Sequence, residues 1–182
     1  MRRSIFALTI GMILAAQFLS AASVYDYELN SINYEKVRLR DFKGKVVMIV
    51  NVASFCGYTP QYADLENLYR QHKDKGFVIV GIPSNDFGQG EPGTDPEIKQ
   101  FCRRKYDVTF PMMSKVSITG NNPVALYEFL TDKVQNPKTG GEIRWNFTKF
   151  LIGKDGTILA RFEPQVLPAD PALVSAVENA LR

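Results

Sequence analysis

Histidine, cysteine and tryptophan are scarce in this 182-residue chain: His72 is the only histidine, Cys56 and Cys102 the only cysteines, and Trp145 the only tryptophan. One histidine and two separated cysteines cannot make the four-ligand zinc patterns, and no Cys-x-x-Cys is present for a dithiol oxidoreductase or for haem attachment. A Cys-His-Asn protease would need His72 as its base. That residue ends the stripe Tyr62, Leu65, Tyr69, His72, spaced as one face of a helix, which marks it as a helix-end histidine. An excess of charge of one sign is also missing. The 22 Lys and Arg stand against 19 Asp and Glu, so there is no clustered basic footprint for nucleic acid. Repeats, linkers and low-complexity stretches are absent. With 45% hydrophobic and 23% charged residues, the chain has the composition of one packed domain.

One long apolar run stands at the start. Met1-Arg2-Arg3 is a short basic region, the run from Ile5 to Leu19 is interrupted by Gly11 and Gln17, and Ser20-Ala21-Ala22 offers small residues for cleavage before Ser23. This pattern predicts a signal peptide over 1–22 and a single domain over 23–182. The paired arginines do not extend into the twin-arginine pattern, so general secretion is expected. The run is too short and interrupted for a membrane span, with an uncleaved anchor as the alternative. The expected location is periplasmic or secreted, without stable membrane insertion, where disulfides persist.

Periodicity and punctuation place the elements. Tyr25 to Leu29 and Lys36 to Leu39 read as short strands. Lys45 to Val52 and Phe77 to Pro83 are almost unbroken apolar runs, which suit strands buried on both faces. Between them a helix is expected, with Thr59 as cap and Pro60 at its first position, running to about Lys75 before Gly76. That makes a βαβ unit with parallel strands. A glycine-rich loop from Ser84 to Thr94 precedes a helix from Asp95, read as its own cap, to about Lys105. Pro123 to Val134 reads as a third helix. Lys149 to Ile152 and Thr157 to Phe162 make a hairpin around Lys154-Asp155-Gly156, and Pro171 to Leu181 is a final helix. The sum is a small α/β layer domain with a parallel pair in the middle and an antiparallel hairpin at one edge.

Cys56 falls at the carboxyl end of a buried parallel strand and about one turn before a helix. Both places favour chemistry, because free N–H groups and the helix dipole stabilise a thiolate. A buried, inert thiol is the competing reading of the same position.

The wording around it carries more. Val50-Asn51-Val52-Ala53-Ser54-Phe55-Cys56-Gly57-Tyr58-Thr59 resembles the peroxidatic motif of the glutathione peroxidase family. Ile82-Pro83-Ser84-Asn85-Asp86-Phe87-Gly88 with Glu91-Pro92-Gly93 is similar to its second motif, and Arg144-Trp145-Asn146-Phe147-Thr148-Lys149-Phe150-Leu151 to its third. Phe101-Cys102 through Val108-Thr109-Phe110-Pro111 fits the segment between. Agreement over about Tyr25 to Pro164, in the family's order, is far more specific than any single motif.

The resemblance implies a thioredoxin-like fold, a central mixed sheet flanked by helices. It implies that Cys56, supported by Gly57 and Asn85, attacks the weak O–O bond of hydrogen peroxide or an organic hydroperoxide and becomes a sulfenic acid. Trp145 and Asn146 would be neutral donors that do not take up the thiolate's charge. The family's glutamine stands directly before Glu-Pro-Gly; here Gly90 does, with Gln89 one position earlier. Either the loop shifts to present the Gln89 amide, or the site has one donor fewer and a slower reaction. Cys102 matches the resolving cysteine of the branch that forms an internal disulfide and is reduced by thioredoxin-type proteins, with glutathione the less favoured reductant. The short connection from Lys133 to Gly141 resembles the monomeric members. No cofactor or metal is implied. Two rival readings stay open: a peroxide sensor or disulfide relay using the same cysteines, and a non-catalytic thioredoxin-fold module with Cys56 inert.

Overall fold

The computed structural model describes residues 22–182. The leader read from 1–22 therefore lies outside the described residues except for Ala22.

Four strands form the main sheet: β3 (Val46–Val52), β4 (Phe77–Pro83), β5 (Lys149–Ile152) and β6 (Ile158–Phe162), in the order β4-β3-β5-β6. A two-stranded ribbon, β1 (Glu28–Asn30) and β2 (Lys36–Arg38), precedes them. β3 pairs parallel with β4 and antiparallel with β5, and β5 pairs antiparallel with β6. Every residue of β3 and β4 is buried, as expected of strands covered on both faces.

Four helices cover the sheet: α1 (Gln61–His72), α2 (Asp95–Tyr106), α3 (Ala125–Thr131) and α4 (Pro171–Leu181). Alternate β3 residues divide the core. Val46, Met48, Val50 and Val52 pack with Tyr62 and Leu65 of α1, Ile98 and Cys102 of α2, and Leu173 and Val177 of α4. Val47 and Ile49 pack with Leu126, Phe129 and Leu130 of α3 and with Leu29 of the ribbon. This is the flanked mixed sheet the resemblance implies, but the parallel pair β3-β4 stands at one edge rather than in the middle, because β5 of the hairpin pairs with β3. His72 ends α1, buried edge-on against the Phe77 ring.

Several local expectations are corrected. Tyr25 belongs to a 3-10 turn, Val24–Asp26, closed by the Ser23 N–H donating to Asp26, rather than to a strand. α1 begins at Gln61, and the Thr59 hydroxyl is not its cap; it serves the cysteine turn described below. α2 is capped by Thr94, whose N–H and hydroxyl both donate to the Glu97 carboxylate at 2.8 Å, whereas Asp95 accepts the Lys115 N–H. α3 stops at Thr131 because Asp132 turns its carboxylate onto the Val134 N–H and the Gln135 amide, closing a turn in place of another helical repeat.

Thr94→Ala should lower stability by about 1 kcal/mol in urea unfolding; an unchanged midpoint and slope would show that Thr94 does not cap α2.

Candidate active site

Cys56 sits in the turn between β3 and α1. Its backbone is held on both sides by Thr59, whose Oγ accepts the Cys56 N–H at 2.9 Å and donates to the Ala53 carbonyl at 3.0 Å, while the Thr59 N–H donates to the Cys56 carbonyl. The half-buried sulfur accepts the Tyr58 N–H at 3.4 Å. A Cβ built on neighbouring Gly57 would meet nothing within 4 Å, so the turn borders open space.

The second loop, between β4 and α2, is stitched to this turn. The Phe55 N–H donates to the Gly90 carbonyl at 2.8 Å, and the Ser54 hydroxyl donates to the Glu91 carboxylate at 3.1 Å. Asn85 closes the loop by accepting the Glu91 N–H at 2.8 Å. Gln89 stands at φ +52 with its side chain exposed, and Gly90 is the residue turned inward. A Cβ at Gly90 would lie 2.9 Å from the Phe55 carbonyl oxygen, so this backbone leaves no room for a side chain where the family carries its glutamine.

The third segment arrives from the start of β5. Asn51, buried at the end of β3, donates its amide to the Trp145 carbonyl at 3.2 Å and accepts the Phe147 N–H at 2.6 Å. Phe147 takes a left-handed φ of +67. The Trp145 ring packs on Phe87 with centroids 6.1 Å apart and is 42% exposed. Asn146 is fully buried and donates to the Phe87 carbonyl at 3.4 Å; burial closes the Asn146-Phe147-Thr148 sequon to glycosylation in the folded chain. Trp145 and Asn146 thus meet the second loop, which in turn meets the Cys56 turn. The Lys149 ammonium, fully buried, donates to the carbonyls of Phe147 and Val166 at 2.9 and 2.8 Å, and burial pulls its pKa down to about 7.

Cys102 lies in α2, buried and unpaired, with no disulfide to Cys56. Burial pushes its thiol up to about 11, with the Tyr62 hydroxyl opposing this and the Glu91 carboxylate adding to it.

Sequence reasoning singled out the two cysteines, Trp145 and Asn146 but passed over Asn51, Ser54, Tyr62, Thr59 as a clamp, and above all Glu91. Glu91 is fully buried, and loss of hydration raises its pKa from 4.5 to about 7 against the opposing Ser54 hydrogen bonds and Lys115 charge. A carboxyl whose folded pKa is raised contributes stability that is complete below about 4.5 and is lost as pH rises through about 7. Wild type should therefore lose about 3 kcal/mol relative to Glu91→Gln across that window in denaturant titrations. Parallel stability curves for the two proteins would contradict this.

Comparisons with known proteins agree with one another. The family model for glutathione peroxidase matches residues 24–131. The chain is 45% identical over 147 residues to the glutathione peroxidase-like peroxiredoxin 2 of Saccharomyces cerevisiae, covering 81% of this chain and 91% of that protein. It is 45% identical over 157 residues to the hydroperoxy fatty acid reductase gpx1 of Synechocystis, covering 81% and 93%. Among solved structures, Trgpx in its apo form superposes with a TM-score of 0.71 at 33% identity, over 89% of this chain and 97% of that one. A thioredoxin-family thiol:disulfide interchange protein from Chlorobium tepidum, at 19% identity, shares the fold with a TM-score of 0.64, over 86% and 93%. The fold is thioredoxin-like, and the chain belongs to the glutathione peroxidase family.

Proposed function

We propose that this peroxidase reduces hydroperoxides through Cys56, that Cys102 resolves the product as an internal disulfide, and that a thioredoxin-like protein returns both thiols. The observation that carries the reading is the Cys56 turn itself: a half-buried sulfur at the end of β3, accepting a backbone N–H, beside open space and bonded to the loop against which Trp145 and Asn146 pack. The Cys56 thiolate attacks one peroxide oxygen, the O–O bond breaks, and the other oxygen leaves as alcohol or water after taking a proton. Trp145 and Asn146 serve as neutral donors near the leaving oxygen.

Cys102 then attacks the Cys56 sulfur. Its burial within α2 means that the helix must open locally, since a disulfide needs Cα atoms within about 7 Å. Export of residues 23–182 is supported by the basic, apolar and small-residue order of 1–22. A thioredoxin-like reductant outside the cytoplasm fits that location, with glutathione the second choice. The short connection from Lys133 to Gly141 supports a monomer.

Substrate class follows from the surroundings of Trp145. Trp145 borders a cavity of about 600 Å³ also lined by Lys133, Lys138 and Arg144, which form no ion pair among the described residues, by Glu142, and by the Arg161–Glu163 ion pair. Phe55, next to the reactive cysteine, is 69% exposed. The half-exposed Trp145 at a cavity whose lining has more cations than anions suits a hydroperoxide with an apolar chain and an acidic head, in keeping with the Synechocystis relative's name.

In steady-state assays, Cys56→Ser should lose peroxide reduction with any thiol donor. Cys102→Ser should consume one equivalent of peroxide and then stall with thioredoxin. Turnover by Cys56→Ser would refute the reading, and a wild type that turns over only once would favour the sensor or relay. Lys138→Ala with Arg144→Ala should raise KM several-fold for a fatty acid hydroperoxide and leave that for hydrogen peroxide unchanged; equal changes for both would remove the cavity from substrate binding.

A further inference from the structure

Resolution moves one proton as well as one bond. Cys102–SH and Cys56–SOH become a disulfide and water, so the hydrogen on Cys102 must end on the oxygen leaving Cys56. The mechanism above assigns no group to that transfer, and it leaves unused the buried acid of the site. Glu91 is hydrogen-bonded to the residues before Cys56, and its charge acts on Tyr62 and Cys102. On one side the Ser54 hydroxyl, two residues before Cys56, donates to its Oε2 at 3.1 Å. On the other stand Tyr62 of α1 and Cys102 of α2, both buried in the same apolar cluster.

Two details mark this as more than a packed hydrogen bond. The second carboxylate oxygen, Oε1, is buried with no hydrogen-bond partner of normal geometry, and so is the Tyr62 hydroxyl. Buried polar atoms in folded proteins are nearly always satisfied, and of the eight without a partner among the described residues Glu91 Oε1 is the only carboxylate oxygen. Nor is Glu91 neutralised by an ion pair. The nearby Lys115 ammonium is spent on the main-chain carbonyls of Glu91, Pro92 and Gly93.

We propose that Glu91 carries the proton of resolution, taking it from the Cys102 thiol and delivering it to the hydroxide that leaves Cys56. This rests on the reading of Cys102 as the resolving cysteine. The steps balance. The Glu91 carboxylate accepts the proton, with the Tyr62 hydroxyl as the neighbouring group that can bridge the two. The Cys102 thiolate uses its electron pair to form the S–S bond as the S–O bond of Cys56–SOH breaks. The departing hydroxide takes the proton from the Glu91 carboxyl, leaving water, a disulfide and the carboxylate restored.

The physics also couples the proton to the motion. A neutral thiol is at home in the apolar layer beneath α2, but a thiolate there has lost its hydration. Ionising Cys102 in place makes its burial costly and drives the sulfur out of the core, the direction in which α2 must open. A carboxyl raised to about 7 is a stronger base than an ordinary glutamate and still a good acid toward hydroxide. The titratable and charged groups facing it are Tyr62, Cys102 and Lys115.

The test is rapid-mixing measurement of both steps, sulfenic acid formation and disulfide formation, against pH. Wild type should show a disulfide step that rises with pH through an inflection near 7. Glu91→Gln keeps the shape and an acceptor for Ser54 but is not a base. Its disulfide step should slow at least tenfold relative to its own peroxide step at neutral pH, lose the inflection, and recover as alkali ionises the thiol directly. Ser54→Ala keeps the carboxyl and removes a hydrogen bond that lowers its pKa, so its inflection should move to higher pH. Slowing of Glu91→Gln by the same factor at every pH, or an unmoved inflection in Ser54→Ala, would overturn the proposal. Absence of any Cys56–Cys102 disulfide in wild type would instead refute the reading of Cys102 on which it rests.

Discussion

The Thr59 hydroxyl makes two hydrogen bonds, from the Cys56 N–H and to the Ala53 carbonyl, and the rest of the site is arranged around the turn they hold. Without them the residues between β3 and α1 would be a free loop on the surface. With them, Cys56 has a fixed place at the end of a buried strand, the Tyr58 N–H meets its sulfur, and the flanking Ser54 and Phe55 offer fixed groups to the second loop. That loop fits only because Gly90 has no side chain. The same close approach sets Gln89 outward, with its side chain in solvent.

Two buried charges of opposite sign flank this arrangement. The Lys149 ammonium ties the start of β5 to the Val166 carbonyl, and the Glu91 carboxylate ties the second loop to Ser54. Burial disfavours the charged form of each, drawing one pKa down and the other up to about 7. Apolar residues would cost less, so retention of both groups points to what they hold or transfer. For Lys149 the hydrogen bonds themselves suffice: they satisfy the Phe147 carbonyl of the third motif and the Val166 carbonyl beyond β6. For Glu91 they do not, because one oxygen is left without a partner.

Much of the fold was legible in the sequence because it depends on local patterns. β3 and β4 are almost unbroken apolar runs rich in β-branched residues, the hairpin of β5 and β6 carries its own turn residues, and α4 opens with a proline after an aspartate. What was misread depends on which of several partners, near or far in the chain, takes a side chain. Thr59 looks like a helix cap until Ala53 and Cys56 are seen to compete for its hydroxyl, and Asp95 looks like one until Lys115 claims it. Cys56, Trp145 and Asn146 could be named from their motifs, but Asn51 reaches Trp145 across 94 residues and Ser54 reaches Glu91 across 37. No periodicity records such contacts, and a glutamate before a proline and a glycine reads as an exposed loop charge rather than as the buried acid of the site.

Everything in this chemistry depends on which sulfur meets the peroxide. Treating Cys102→Ser protein with one equivalent of hydroperoxide, trapping with a sulfenic-acid-specific nucleophile and mapping the peptides by mass spectrometry reads this directly. The adduct should appear on Cys56, near stoichiometric, and disappear when the peroxide is omitted. Unlabelled Cys56 with the peroxide unconsumed would contradict the account.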